Sequence, residues 1–281
     1  VKLYTIETGR FKLDGGAMFG VVPKTIWSKT NPADANNLIE LAMRCLLIED
    51  GNQLILIDNG IGNKYHAKFQ SIYCIDHEKY NLESSLKALG FQKNDITDVI
   101  LTHLHFDHAG GSTEWDAEYK PVLAFPYANY WVQEKHLRWA LNPNDREKAS
   151  FFAENIQPLQ SSQQLKLLKG ETQFHSQIRL LIVNGHTEAQ QLPLISYKNY
   201  KILFASDLFP TYGHIPLPYV MGYDVRPLVT LEERKLFLEE CVNDNIVIFY
   251  EHDPYHECGL VGVDEKGKYY SKETFPLSNL T

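Results

Sequence analysis

Five short apolar runs, Leu54–Ile57, Val99–Leu101, Ile178–Val183, Ile202–Ala205 and Ile246–Tyr250, each stop at turn residues. They constrain the fold more than any other feature of the chain. Runs of this length, rich in Ile, Leu and Val, read as buried strands rather than helices. Helical patterns lie between some of them. Leu82–Leu89 is closed by Gly90, a helix-ending residue. In "TLEERKLFLEEC", Thr230 and Glu233 stand in capping-box spacing, and Leu231, Phe237 and Leu238 supply an apolar face. Strands interleaved with helices make this an α/β chain. "QLILIDNGIG" and "YKILFASDLFP" both carry an apolar strand into an Asp, Asp58 and Asp207. That echo is compatible with two similar halves but is too short to establish a repeat.

The residues just past these runs are of one chemical kind. "VILTHLHFDHAGG" delivers His103, His105, Asp107 and His108 within six positions. If the strand continues that far, His103 and His105 point the same way. Asp107 and His108 then lie in the following turn, where Ala109-Gly110-Gly111 lets the backbone bend sharply. One ion cannot readily take all four groups from so short a segment, whereas two adjacent ions could share them. The missing partners follow three later runs: His186 in "IRLLIVNGHT", Asp207 in "KILFASDL" and His252 in "NIVIFYEHDP". Sheets of this class place ligands at such strand ends. Five imidazoles and two carboxylates suit two borderline divalent ions per chain, zinc first, with iron, manganese or cobalt as substitutes.

Composition narrows the partners. A net charge of -8 without basic runs argues against nucleic acid, which is gripped by clustered Lys and Arg. No apolar run approaches the roughly 18 residues of a membrane span, so no membrane partner is expected. "VKLYTIETGRFKLDGG" has no apolar signal core, and the scattered Cys45, Cys74, Cys241 and Cys258 read as reduced thiols, so a cytoplasmic location is expected. No linker divides the sequence. A single domain over 1–281 is expected, with a helical or loop insertion near 131–165 that holds "NPNDREKAS" and "QPLQSSQQ".

"HLHFDHAGG" resembles the HxHxDH signature of the metallo-β-lactamase superfamily, and the order of His186, Asp207 and His252 is similar to that of its dinuclear hydrolases. The resemblance runs from about Leu54 to His252. It implies an αββα sandwich of two mixed β-sheets flanked by helices, with metals at one edge. It further implies that His103, His105 and His186 bind one ion, that Asp107, His108 and His252 bind the other, and that Asp207 bridges. Within the superfamily, "THLHFDHAGG", "GGAMFGVVPKTIW", "ALNPNDREKAS" and "YEHDP" are most similar to N-acyl homoserine lactonases of the YtnP-like quorum-quenching group. The implied activity is metal-dependent opening of a lactone, with a small neutral ester or lactone as substrate and a homodimer as the compatible assembly. Two positions depart from that pattern. Gln190 stands where a second His is common, and Pro210 stands where the lactonases carry a Tyr.

The remaining candidates are single residues. Asp107 and Tyr212 are the expected proton carriers. Phe19, Trp27 and His214 are expected to line the substrate pocket, with burial in the core as the alternative for the aromatic pair. Asp58 is expected to orient a ligand histidine, with a turn cap as its alternative. His66, His77, His136 and His175 lie in polar contexts that read as surface. A Gly-x-Ser-x-Gly elbow is absent from the sequence, consistent with water as attacker. Phosphotriester or aryl-ester hydrolysis on the same dinuclear site is the alternative activity, and a non-catalytic metal-stabilised binding protein is the alternative class.

Overall fold

A computed structural model describes residues 1–280 of the chain. The chain divides into two compact units, Val1–Arg10 with Met43–Gly170, and Phe11–Ala42 with the residues from Glu171 onward. Among the described residues the strands are β1 (Lys2–Asp14), β2 (Leu38–Asp50), β3 (Gln53–Ile57), β4 (Asp98–Ile100), β5 (Thr113–Trp115), β6 (Pro121–Leu123), β7 (Asn129–Gln133) and β8 (Leu165–Leu168). They continue with β9 (Thr172–His175), β10 (Ile178–Val183), β11 (Gln190–Tyr197), β12 (Tyr200–Phe204), β13 (Val247–Phe249), β14 (Cys258–Val263) and β15 (Tyr269–Phe275). The five apolar runs of the sequence are thus β3, β4, β10, β12 and β13.

The first sheet has the order β1-β2-β3-β4-β7-β8. β2 and β3 form an antiparallel hairpin whose turn needs Gly51 at φ 58. From β3 to β8 the pairing is parallel. Parallel neighbours require crossovers, and the helices Leu82–Ala88, Glu134–Leu141 and Ala153–Ser161 lie in them. The stretch 131–165 is therefore the end of β7, two helices and the start of β8. Register sets Ile57 against Ile100, so Asp58 and Leu101 leave the sheet side by side at its C-terminal edge. Ile55, Leu56, Ile57, Val99 and Ile100 are fully buried on both faces of the sheet, which is why these strands read as continuous apolar runs. Cys45, Leu56, Val99, Leu137 and Leu159 belong to one core of this unit.

The second sheet has the order β15-β14-β13-β12-β11-β10-β9. β12 and β13 are parallel, with Phe204 against Phe249. Because β10 pairs antiparallel with β11, and β11 with β12, β10 runs in the same direction as β12 and β13. The C-terminal ends of all three share one edge of the sheet. Residues following them, His186, Asp207 and His252, emerge there together. Leu192, Leu203, Leu238, Ile248 and Val261 form this unit's core.

One helix starts earlier than its capping pattern indicates. Pro227, whose fixed φ suits a first turn, begins the helix Pro227–Asp244. Thr230 and Glu233 are then inside it, and the expected capping box does not form. The Glu233 carboxylate instead accepts the Asn184 and Gly185 N–H groups at 2.6 and 3.0 Å, holding the loop that leads to His186. The four cysteines are free thiols. Among the described residues no helix is long and apolar enough to cross a membrane.

Candidate metal centre

In the first unit β4 ends at Ile100, and His105 is the N-cap of the short helix Phe106–Ala109. Strand alternation therefore does not align the two histidines; a loop does. His103 Nε2 and His105 Nδ1 lie 3.0 Å apart. Their hydrogen-bond partners decide where the protons are. Asp58, at φ 54, accepts the Thr102 N–H at 2.7 Å and the Thr102 hydroxyl at 2.6 Å. With its one hydrogen used there, Thr102 Oγ1 can only accept from His103 Nδ1, 3.1 Å away. His103 Nε2 then carries no hydrogen. His105 Nε2 donates to Glu147 Oε1 at 2.9 Å, so His105 Nδ1 carries none either. Two lone pairs facing each other at this distance repel unless a cation stands between them. The residues present suit a metal ion.

His108 follows the same rule. Its Nδ1 donates to Asp58 Oδ2 at 3.2 Å, and its Nε2 faces Asp107 Oδ2 at 3.8 Å. Asp58 thus orients His108 and also fixes the tautomer of His103 through Thr102. The Gly110-Gly111 pair permits the close turn that follows. A Cβ on Gly110 would lie 2.2 Å from the Ile61 carbonyl oxygen, and one on Gly111 would lie 2.2 Å from that of Asn59. Lys64 closes the turn by donating to the carbonyls of Gly110 and Thr113. Burial pushes its ammonium down to about 7 against the charges of Glu154 and Glu114, and a neutral amine still has two hydrogens for the two carbonyls.

Of the histidines expected on the surface, His136 is fully buried. Its Nε2 accepts the Leu104 N–H at 2.8 Å and so fixes the backbone between His103 and His105. Its charged sequence neighbours, "EKHLR", concealed this because the helix turns His136, Leu137 and Ala140 inward together.

In the second unit His186 Nδ1 donates to Asp224 Oδ1 at 2.8 Å, and His252 Nδ1 donates to the Ala42 carbonyl at 2.8 Å. Their Nε2 atoms face different oxygens of one carboxylate: His186 lies 3.0 Å from Asp207 Oδ2, and His252 lies 3.2 Å from Asp207 Oδ1. That is the geometry a bridging carboxylate needs. Burial alone would lower the basicity of His186, but the charge of Asp207 and hydrogen bonds to Asp207 and Asp224 lift it to about 10. The surroundings demand positive charge. Ser206 precedes Asp207 at φ 44, a conformation disfavoured for a side-chain-bearing residue. Gln190, the departure from the lactonase pattern, braces it: its Nε2 donates to Ser206 Oγ at 3.1 Å.

His103, His105, Asp107, His108, His186, Asp207 and His252 all fall within buried groups of His and carboxylate atoms able to hold a metal ion. The residues expected to contact substrate divide differently. Phe19, Trp27 and His214 form a buried stack in the second unit, with ring centroids 5.3 Å apart for Phe19–Trp27 and 4.1 Å for Phe19–His214. His214 Nε2 donates to the Met18 carbonyl at 3.0 Å, and Nδ1 accepts from Thr211 Oγ1 at 2.7 Å. Burial pushes this imidazole down to about 3, so it stays neutral. The three rings present no surface to a substrate and pack as core. Tyr212 is half-buried, its N–H donating to Asp253 Oδ2 at 2.9 Å and its ring edge-on to His256 at 4.4 Å.

Half-buried aromatic surface occurs beside the first ligand set instead. Phe106, between His105 and Asp107, packs against Phe69, Tyr73 and Phe152 at 5.4, 5.1 and 5.7 Å, and Phe151 lies 4.9 Å from His105. Phe69 and Tyr73 sit one helical turn apart in "FQSIY", a spacing that could have identified them. Glu147 and Asp224 had no such signal. Each is far in sequence from the histidine it orients.

Comparisons with known proteins show the family of the chain and the fold it shares. A family model described as "Metallo-beta-lactamase superfamily" matches residues 43–240. An N-acyl homoserine lactonase of Bacillus cereus is 23% identical over 270 residues, covering 92% of this chain and 95% of that protein. Among solved structures, a probable metal-dependent hydrolase from Staphylococcus aureus superposes with a TM-score of 0.86 at 27% identity, covering 98% of each chain. AidC, a dizinc quorum-quenching lactonase, superposes with a TM-score of 0.77 at 24% identity, covering 98% of this chain and 95% of its own. The mixed α/β architecture is that of these neighbours.

Proposed function

We propose, for a chain that belongs to the metallo-beta-lactamase superfamily, that its clustered His and Asp groups hold two divalent metal ions, zinc first, and that the protein hydrolyses lactones. One observation carries the reading. Each of the five imidazoles has one nitrogen tied to an oxygen and turns the other toward a further His or Asp of the set, and Asp207 offers a separate oxygen to each of two of them. Seven ligand groups exceed the four of one tetrahedral ion, and Asp207 is the bridge between two. When bound, such ions lower the pKa of a water to about 7 and polarise a carbonyl oxygen.

The chain's own residues do the rest. Asp107 keeps a small exposed edge at the ligand set and is placed to pass a proton to the leaving alkoxide. Tyr212 is the second donor, taking the part that Pro210 cannot. The rings around Phe106 supply an apolar wall for a neutral amphiphilic substrate. The relatives named as N-acyl homoserine lactonases, which align over nine-tenths of the chain, favour a lactone of that class.

Parallel kinetics on an N-acyl homoserine lactone, an aryl ester and a neutral phosphotriester test the choice. The lactone should show the highest kcat/KM. A preference for the phosphotriester, or no lactone opening with two metals bound, would replace the lactone reading with phosphotriester hydrolysis.

A further inference from the structure

We infer that Glu147, held by Trp139 and Asn144, is the positioning residue that makes His105 a metal ligand through Nδ1. The inference rests on the two-metal reading above. Of the five ligand imidazoles, His103, His108, His186 and His252 turn Nε2 toward the other ligand atoms; His105 alone turns Nδ1. Nδ1 lies next to its own backbone, so the ring must be turned and then kept from rotating. The partner that does this is Glu147 Oε1, 2.9 Å from His105 Nε2. Phe151, with its centroid 4.9 Å away, packs against the same ring.

The carboxylate is itself gripped. Its other oxygen accepts the Trp139 indole N–H at 2.6 Å and the Asn144 side-chain amide at 3.3 Å. An indole nitrogen can only donate, so Oε2 must accept, which favours the ionised carboxylate. Asn144 shapes the turn that delivers Glu147. Its Oδ1 accepts the N–H groups of Arg146 at 2.9 Å and Glu147 at 3.1 Å. Glu147 is buried, and a buried carboxylate held by three donors has little freedom to move. A charged partner behind an imidazole both fixes its tautomer and raises its basicity toward a metal.

The test compares wild type, Glu147→Gln and Trp139→Phe as full-length metal-loaded proteins. Zinc is competed away with a chromophoric chelator, and the visible absorption of the cobalt(II)-loaded proteins is recorded. Glu147→Gln keeps the shape but not the charge and should weaken metal affinity about 10- to 100-fold. Its cobalt bands should also shift, which a packing role alone would not cause. Trp139→Phe, which removes the indole N–H that Glu147 Oε2 accepts, should change both readouts in the same direction by less, and it carries the test if Glu147→Gln does not fold. Wild-type affinity and an unchanged cobalt spectrum in both variants would overturn the role of Glu147. A wild-type protein that holds no metal would overturn the two-metal reading instead, so the two failures are separable.

Discussion

Asp207→Ala should yield a folded protein with at most one tightly held metal and lactone turnover reduced by about 10³-fold or more, beyond the roughly 10- to 100-fold cost of losing an outer partner. The reason lies in the two contacts of its carboxylate, one oxygen toward His186 and the other toward His252. Removing it takes a shared ligand from two ions at once and leaves their mutual repulsion unscreened. The fold does not depend on it, because β12 and β13 are held by Leu203, Ile248 and their apolar neighbours. Circular dichroism and elemental analysis of the purified variant separate the two effects. Near-normal turnover with full metal would show that Asp207 is not the bridge.

Removing the metals should lower the melting temperature by about 10 °C as well as abolish activity. His103 Nε2 faces His105 Nδ1 at 3.0 Å, and Asp207 raises the basicity of His186, so both places favour an added positive charge. Binding only to the folded state stabilises it by RT ln(1 + [L]/Kd), about 4 kcal/mol at a thousandfold excess over Kd. For a chain of this length each kcal/mol shifts the midpoint by roughly 2–4 °C. Calorimetry before and after dialysis against a chelator measures this, and readdition of zinc should restore both midpoint and turnover. A midpoint that moves by under a degree while metal is demonstrably removed would contradict the linkage.

The proposed ligands are legible in the sequence because each follows a strand that is itself legible. Apolar runs such as "LILI" and "VIL" must be buried, and parallel pairing puts the last residues of paired runs on one edge of each sheet. The supports of those ligands were not legible. Glu147 reaches His105 across a crossover, and Asp224 reaches His186 from a loop before the helix at Pro227. Neither polar context differs from that of a solvated turn. His136 misled in the same way, since charged neighbours on a helix say nothing of the face it buries. Phe19 and Trp27 show the converse: an aromatic residue in a glycine-rich segment is equally suited to a pocket or a core, and only their mutual stacking decides.

The central claim is two metal ions per chain, and elemental analysis of protein expressed in metal-supplemented medium tests it most directly. Close to two equivalents of zinc, or of iron, manganese or cobalt in its place, is the result this account predicts. One equivalent or none would contradict it.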